Sequence, residues 1–331
     1  MQQISDMFAT HSPSRRSAGR RGAPWLAAAL VGAAALVGSA VFNRSRAKRA
    51  EAKTPPAGKF VEIDGARVHY VERGEGPPVV LLHGNGMLVQ DFEASGLLAL
   101  VAKRHRVIAF DRPGFGYSDR ASSTLWTPEA QARLFARAME RLGVGPAVVV
   151  GHSWGTMVAL AMALEQRQAV SGLVLISGYY YGTARPDVVP FSAPAIPLLG
   201  PVLAHTVAPL VGGLIAPGAF KASFAPAPVP GTFAAFPVAM TLRPSQLQAT
   251  GSDTAMMIAA ANELSGRYGE LSVPIVVMAG DGDLITFPNK HAERFAREVP
   301  SAELRIVPGQ GHMLHYAVPE QVVDAIESVR A

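Results

Sequence analysis

The segment Val148-Val149-Val150-Gly151-His152-Ser153-Trp154-Gly155-Thr156 joins an apolar β-branched run to G-x-S-x-G, and Met157 to Gln166 after it reads as a helix. Strand, sharp turn and helix with a serine at the apex make the nucleophile-elbow pattern. The two glycines have a steric reason. The turn brings neighbouring backbones so close that a Cβ at either position would clash. A serine so placed needs a base, a carboxylate, hydrogen-bond donors for an oxyanion and a pocket from the rest of the chain.

Working outward, 331 residues allow one large domain or two. At 49% hydrophobic and 17% charged residues the chain is globular. It has no cysteine, which excludes disulfides, thiolate catalysis and cysteine-ligated zinc. The net charge of +5 is unevenly spread. Residues 1–53 hold nine Lys/Arg against Asp6 and Glu51, a net of +7, which leaves −2 for the remainder. Basicity therefore belongs to the N-terminal segment, and nucleic-acid binding by the folded part is not expected.

Residues 1–23 are polar, Ser/Arg-rich and aperiodic, the composition of a disordered basic tail. Residues 24–42 (PWLAAALVGAAALVGSAVF) carry no charge. As a helix they span about 29 Å, close to the hydrocarbon thickness of a bilayer, and the expectation is a single-pass N-terminal membrane anchor. Gly38-Ser39-Ala40 also offers a cleavage site for a secretory signal, Arg15-Arg16 faintly resembles a twin-arginine signal, and a buried helix is the third alternative. Four Lys/Arg precede the run and five follow it, so orientation stays undecided with a slight lean to a cytoplasmic folded part. Residues 43–58 read as a linker.

From Lys59 the pattern is alternating. Residues 60–63 and 67–71 flank Asp64-Gly65, a hairpin signal. Apolar strand patterns at 79–82, 107–110, 147–150, 172–176, 275–278 and 303–307 alternate with helical patterns, among them 97–104, the helix opened by Thr127-Pro128, 291–297 and 319–329. This order predicts a mainly parallel α/β sheet flanked by helices. The alternation lapses over 179–267. Twelve of the 26 prolines fall there, and Val188 to Phe220 carries no charge. The expectation is a core in two pieces, 59–178 and 268–331, with 179–267 inserted as a cap or lid. Prolines at 190, 194, 197, 201, 209 and 217 argue against a second uninterrupted span.

Two strand ends add chemistry on the edge that carries Ser153. Val276 to Asp283 (VVMAGDGD) offers Asp281 and Asp283, and Gly311-His312 follows the strand at 303–307. His83 and His152 read as structural. His205, His291 and His315 read as surface residues or as lying behind the reacting groups. Asp111 reads as a loop organiser, and Tyr179, Tyr180 and Tyr181 as hinge packing.

HGNG (83–86), DRPGFGYSDR (111–120), GHSWG (151–155), GDGDLITFP (280–288) and GQGHMLHYAVPE (309–320) stand in the order found in the α/β-hydrolase superfamily, which the chain resembles from about Lys59 to its end. The resemblance implies a Ser153, Asp283, His312 triad. The family spacing G-x-x-D from Gly280 picks Asp283 over Asp281. It also implies an oxyanion hole from the backbone N–H groups of Asn85 and Trp154, with the Asn85 side chain free to touch substrate, and no metal or organic cofactor. Haloalkane dehalogenases and epoxide hydrolases of the superfamily carry Asp where this chain has Ser153, so neither activity is expected. The implied function is a serine hydrolase cleaving an ester or related acyl bond of a hydrophobic or lipid-like substrate. Two alternatives stand beside it. One is a carbon–carbon bond hydrolase, for which Arg185, Lys221, Arg243 and Arg267 are the cations able to hold a carboxylate. The other is a non-catalytic ligand-binding protein of the same fold.

Overall fold

Eight strands form one sheet in the order β1-β2-β4-β3-β5-β6-β7-β8 in the computed structural model, which describes residues 23–330. The strands are β1 (Lys59–Ile63), β2 (Ala66–Arg73), β3 (Pro78–Leu82), β4 (Arg106–Phe110), β5 (Ala147–His152), β6 (Val170–Ile176), β7 (Ile275–Gly280) and β8 (Ala302–Val307). The Asp64-Gly65 turn closes the β1–β2 hairpin, and β2 runs antiparallel to β4. From β4 to β8 every pairing is parallel. Strands β3, β5, β6 and β7 lack polar positions in their centres because both faces are covered. One face packs on the helices Pro128–Arg141 and Gly155–Glu165, and the other on Leu97–Val101 and Pro319–Ser328. Thr127 caps its helix through the Ala130 N–H, with Pro128 in the first turn. The helix expected over 97–104 stops at Val101.

The parallel strands all deliver their C-terminal loops to one edge. Between β6 and β7 the chain leaves the sheet and builds helices, chief among them Leu199–His205, Ala208–Phe224 and Pro244–Ser265. The first two are bent by 63° at Thr206-Val207, so the uncharged run does not form one straight span. Pro209 falls in the first turn of its helix, where a missing N–H costs nothing.

The long helix Pro244–Ser265 is clamped to the core by charge. Asp253, fully buried, accepts from Arg112 Nη1 at 2.6 Å and Arg120 Nη2 at 3.2 Å. Arg112, also fully buried, spends its remaining donors on the carbonyls of His83 (2.9 Å) and Gly84 (3.1 Å) and on Gln131. Its plane stacks on Phe115 and Trp154.

The N-terminal helix runs from Ala23 to Lys53, eleven residues past the end of the apolar run. Residues 43–53 are therefore helical where a linker was expected, and only Thr54 to Gly58 connects to β1. The extension has two causes. Its Ala, Arg, Lys and Glu residues favour helix, and it has partners: Asn43 donates to Thr206 O, Ala50 is buried, and Glu51 pairs with Arg243 at 3.0 Å. The chain divides at Gly38/Ser39 into two units. Of the expected tail 1–23, residues 1–22 lie outside the described residues and Ala23 opens the helix.

Replacing Asp253 with Ala leaves two guanidinium groups without their carboxylate, one of them fully buried, and is expected to cost about 3–5 kcal/mol. Asp64→Ala, which breaks the exposed Asp64–Arg137 pair, is expected to leave stability near wild type. Urea denaturation of the two variants under the same conditions measures the contrast.

Candidate active site

Gly151 and Gly155 permit the turn at Ser153. A Cβ on Gly151 would lie 2.6 Å from the Gly155 carbonyl oxygen, and one on Gly155 would overlap the Leu82 carbonyl. The loop leaves Ser153 with φ +52°, in the left-handed region, and its N–H bonded to Ile176 O. Such strain in a non-glycine residue occurs where the surroundings over-determine it. The serine hydroxyl makes no hydrogen bond among the described residues and borders a cavity of about 260 Å³.

His312 and Asp283 reach the same edge from the loops after β8 and β7. His312 Nδ1 lies 2.9 Å from Asp283 Oδ2, and His312 borders the cavity beside Ser153. The rest of the Asp283 carboxylate is saturated by the N–H groups of Ile285 and Thr286 and by the Thr286 hydroxyl. Burial pushes its pKa up, but the charge of His312 and these donors outweigh burial and hold it at about 2. Asp281 is turned away and accepts from Gly309 N in the loop after β8. Of the two carboxylates offered by the sequence, only Asp283 meets His312.

Asn85 and Trp154 also border the cavity, and neither backbone N–H donates to a protein group among the described residues. Their loops are held from behind. Arg112 pins the carbonyls of His83 and Gly84, and the Trp154 indole donates to Asp253 O at 3.1 Å. The Asn85 side chain is engaged on one side only, since its Oδ1 has no hydrogen-bond partner among the described residues. Its amide donates to Thr254 Oγ1 (2.8 Å) and Thr250 O (3.2 Å) of the long cap helix.

The other histidines are scaffold. His83 Nδ1–H donates to Gly84 O and Nε2 accepts from Arg112 N, and burial with the nearby Arg112 charge lowers its pKa to about 4. His152 donates from Nε2 to His312 O, and burial first, then His315 and His312, keep it neutral. His205 is exposed. His291 and His315, for which a surface position was one expectation, are buried. His291 Nδ1 accepts from the N–H groups of Tyr180 and Tyr181, and burial holds its pKa near 4. His315 Nε2 pairs with Asp91 at 3.0 Å. Asp91, His152 and His315 are the group among the described residues closest to a metal-ligand set, with candidate atoms within 4.8 Å of one another. Asp111 organises its loop: it holds His69 Nδ1 at 2.7 Å and the N–H groups of Val89 and Tyr117. The three tyrosines are buried, and Tyr179 alone of them borders the cavity.

Met87, Phe191, Phe220, Met257, Ile285 and Met313 make the cavity wall largely apolar. Its charged members, Arg185 and Asp187, neutralise each other through two hydrogen bonds of 2.8 and 2.7 Å. The sequence reading missed Asp253. One signal was available, since it is the only carboxylate between Asp187 and Glu263. A lone acid in an apolar insertion has to be paired if it is buried.

Residues 77–317 match the alpha/beta hydrolase fold family, and the chain belongs to it. It is 30% identical over 127 residues to haloalkane dehalogenase 2 of Mycobacterium bovis, covering 38% of this chain and 44% of that protein. It is 35% identical over 122 residues to proline iminopeptidase of Heyndrickxia coagulans, covering 36% of this chain and 42% of that one. Each match spans less than half of the relative. Among solved structures, the malate-bound thermophilic esterase of Thermogutta terrifontis is 26% identical with a TM-score of 0.62, over 82% of this chain and 97% of that one.

The depressed pKa of Asp283 sets a pH dependence. Its charged form is favoured by folding, so its contribution to stability is fully present above the unfolded value near 3.8 and is lost as pH falls through about 2. Between pH 4.5 and 2, wild type is expected to lose about 2 kcal/mol more than Asp283→Asn. Urea titrations across that range measure it, and parallel stability curves would contradict the assignment.

Proposed function

We propose that this member of the alpha/beta hydrolase family is a membrane-anchored serine hydrolase that cleaves an ester or related acyl bond of a hydrophobic substrate. The observation that carries the reading is that Ser153 and an Asp283-backed His312 border one cavity, whose walls are apolar and whose charges cancel.

The chemistry follows from the atoms present. Asp283 orients His312 and holds its proton on Nδ1, leaving Nε2 to accept. Ser153 Oγ attacks the acyl carbon as His312 Nε2 takes its proton. The N–H groups of Asn85 and Trp154 receive the oxyanion, a contribution of about 3–4 kcal/mol per donor in analogous sites. His312 returns the proton to the leaving oxygen, the acyl-enzyme forms, and water activated by the same imidazole releases the acid.

The carbon–carbon hydrolase alternative needs a cation for a carboxylate. Of the four considered, Arg185 alone borders the cavity, and Asp187 and Ile285 O already engage it. Arg243 is buried against Glu51 and Gly116 O, and Arg267 pairs with Glu270 and Glu165. Ser153 stands where the haloalkane dehalogenases of the superfamily are expected to carry Asp, which favours acyl chemistry over dehalogenation for this chain. As for the anchor, the helix Ala23–Lys53 has a window of mean hydropathy 2.0. Beyond Gly38-Ser39-Ala40 it continues unbroken into residues bonded to the folded part, which supports retention over cleavage.

A fluorophosphonate probe is expected to label wild type and not Ser153→Ala, and the variant is expected to lose p-nitrophenyl ester turnover by about 10⁴-fold or more. A folded, unlabelled wild type would instead identify a binding protein. In a series of p-nitrophenyl esters, kcat/KM is expected to rise from acetate to longer acyl chains, at about 0.8 kcal/mol per buried methylene until the cavity is filled.

A further inference from the structure

The helix Ala208–Phe224 has two unlike faces. One closes the catalytic cavity with Ala219, Phe220 and Ser223. It is tied to the reacting groups there, because the Ser223 carbonyl accepts the backbone N–H of His312 at 2.9 Å and of Met313 at 3.3 Å. The other face, with the preceding helix Leu199–His205, presents large apolar side chains to the outside: Val202, Val207, Leu210, Val211, Leu214 and Ile215 are all exposed, Leu214 by 83%. No charge interrupts Val188 to Phe220. A contiguous apolar surface of this kind marks an interaction site.

Its neighbours identify the occupant. The bend between the two helices is where residues from the end of the apolar N-terminal run are fastened. Ser39 Oγ donates to Thr206 O at 2.7 Å, and Asn43 Nδ2 to Thr206 O at 2.7 Å and His205 O at 3.1 Å. Val41 and Phe42, within the same turn, are exposed like the hairpin beside them. Basic residues come next. Arg46 lies over the Phe42 ring and beside Gly213, while Arg44, Lys48 and Arg49 are exposed. Glu51, the one acid in this stretch, is paired with Arg243. An apolar face with a cationic rim matches the boundary between acyl chains and anionic headgroups. A second copy of the chain would bring a like-charged rim to the same face, whereas an anionic leaflet brings the complementary charge.

We infer that the hairpin Leu199–Phe224 is a leaflet-docking surface, seated at the headgroup–acyl boundary of an anionic membrane, and that the cavity beneath it receives its acyl substrate from that leaflet. The docking stands on the surface chemistry alone; the delivery of an acyl substrate rests on the hydrolase reading above. The docked hairpin then carries the wall of the catalytic cavity to the bilayer.

The absence of native cysteine makes the test direct. Full-length Leu214→Cys and, as a control, Leu125→Cys (71% exposed in the loop before the helix Pro128–Arg141) are labelled with an environment-sensitive fluorophore. They are then reconstituted in vesicles of phosphatidylcholine with phosphatidylglycerol. The label at 214 is expected to shift to the blue and to be quenched by lipids carrying a quencher on the acyl chain, while the label at 125 stays aqueous. A label at 214 as aqueous as that at 125 overturns the docking. So does a shielded label that acyl-chain quenchers do not reach, since that outcome assigns the face to a second copy. Leu214→Asp is expected to lower turnover of a long-chain ester held in the vesicles, relative to a short water-soluble ester, by roughly tenfold or more. Fluorophosphonate labelling of Ser153 in the same vesicles separates the two readings. Labelled serine with an aqueous 214 refutes docking and keeps the hydrolase. A quenched 214 with an unlabelled serine supports docking and removes the acyl substrate.

Discussion

A guanidinium and a carboxylate, Arg112 and Asp253, meet at 2.6 Å with neither side chain reaching solvent. Both have left water, a cost that only a fully satisfied geometry offsets. Here the geometry is close to complete. Arg112 donates to Asp253, Gln131 and the carbonyls of His83 and Gly84, and Asp253 takes a second cation in Arg120. The pair joins three parts distant in sequence: the loop after β3, the loop after β4 and the long helix of the insertion. Because the carbonyls of His83 and Gly84 are held by Arg112, the next residue, Asn85, is left with a free N–H at the cavity. Because the indole of Trp154 lies between Arg112 and the backbone of Asp253, the elbow is braced by the same contact.

Three buried histidines around the cavity are set apart from the one that faces a carboxylate. His83, His152 and His291 are buried in places that disfavour a positive charge, and each serves as a hydrogen-bond strut. His312 is backed instead by Asp283, whose carboxylate is kept ionised by its donors and by His312 itself. That division leaves His312 as the imidazole bordering the cavity that is paired with a carboxylate, while the others hold the loops still. The cap contributes in the opposite sense. Its wall is apolar, and the ion pair it brings to the cavity, Arg185–Asp187, is closed on itself, so it offers shape and hydrophobicity without charge.

Much of this was legible in the residues. The G-x-S-x-G turn, the Asp-Gly hairpin, the β-branched runs and the Thr127-Pro128 cap each act within a few neighbours, and each formed where expected. The sheet edge carrying Ser153, Asp283 and His312 followed from chain order alone, since parallel strands share a direction. What failed to show was long-range pairing. Asp253 looks inert until Arg112 stands beside it. His291 has no local reason to be buried, because the tyrosine amides it accepts from are over a hundred residues earlier. The N-terminal helix runs on to Lys53 partly because Thr206 and Arg243, far along the chain, receive Asn43 and Glu51.

The sequence by itself determined the class of sheet, the strained serine turn, the loops that carry a base and two candidate carboxylates, and the apolar character of the run at 24–42, because these depend on periodicity, glycine sterics and strand direction. Asp283, the carboxylate that the family spacing picks over Asp281, is the one that faces His312; the tertiary structure alone decided that the Asn85 side-chain N–H groups are donated to the cap helix and that Arg185 is cancelled by Asp187. It also decided that the second half of the N-terminal helix is fastened to the bend of the cap. Each of these turns on which of several chemically equivalent groups reaches a partner first, and that is set by packing across the sheet edge, where sequence separation carries no information.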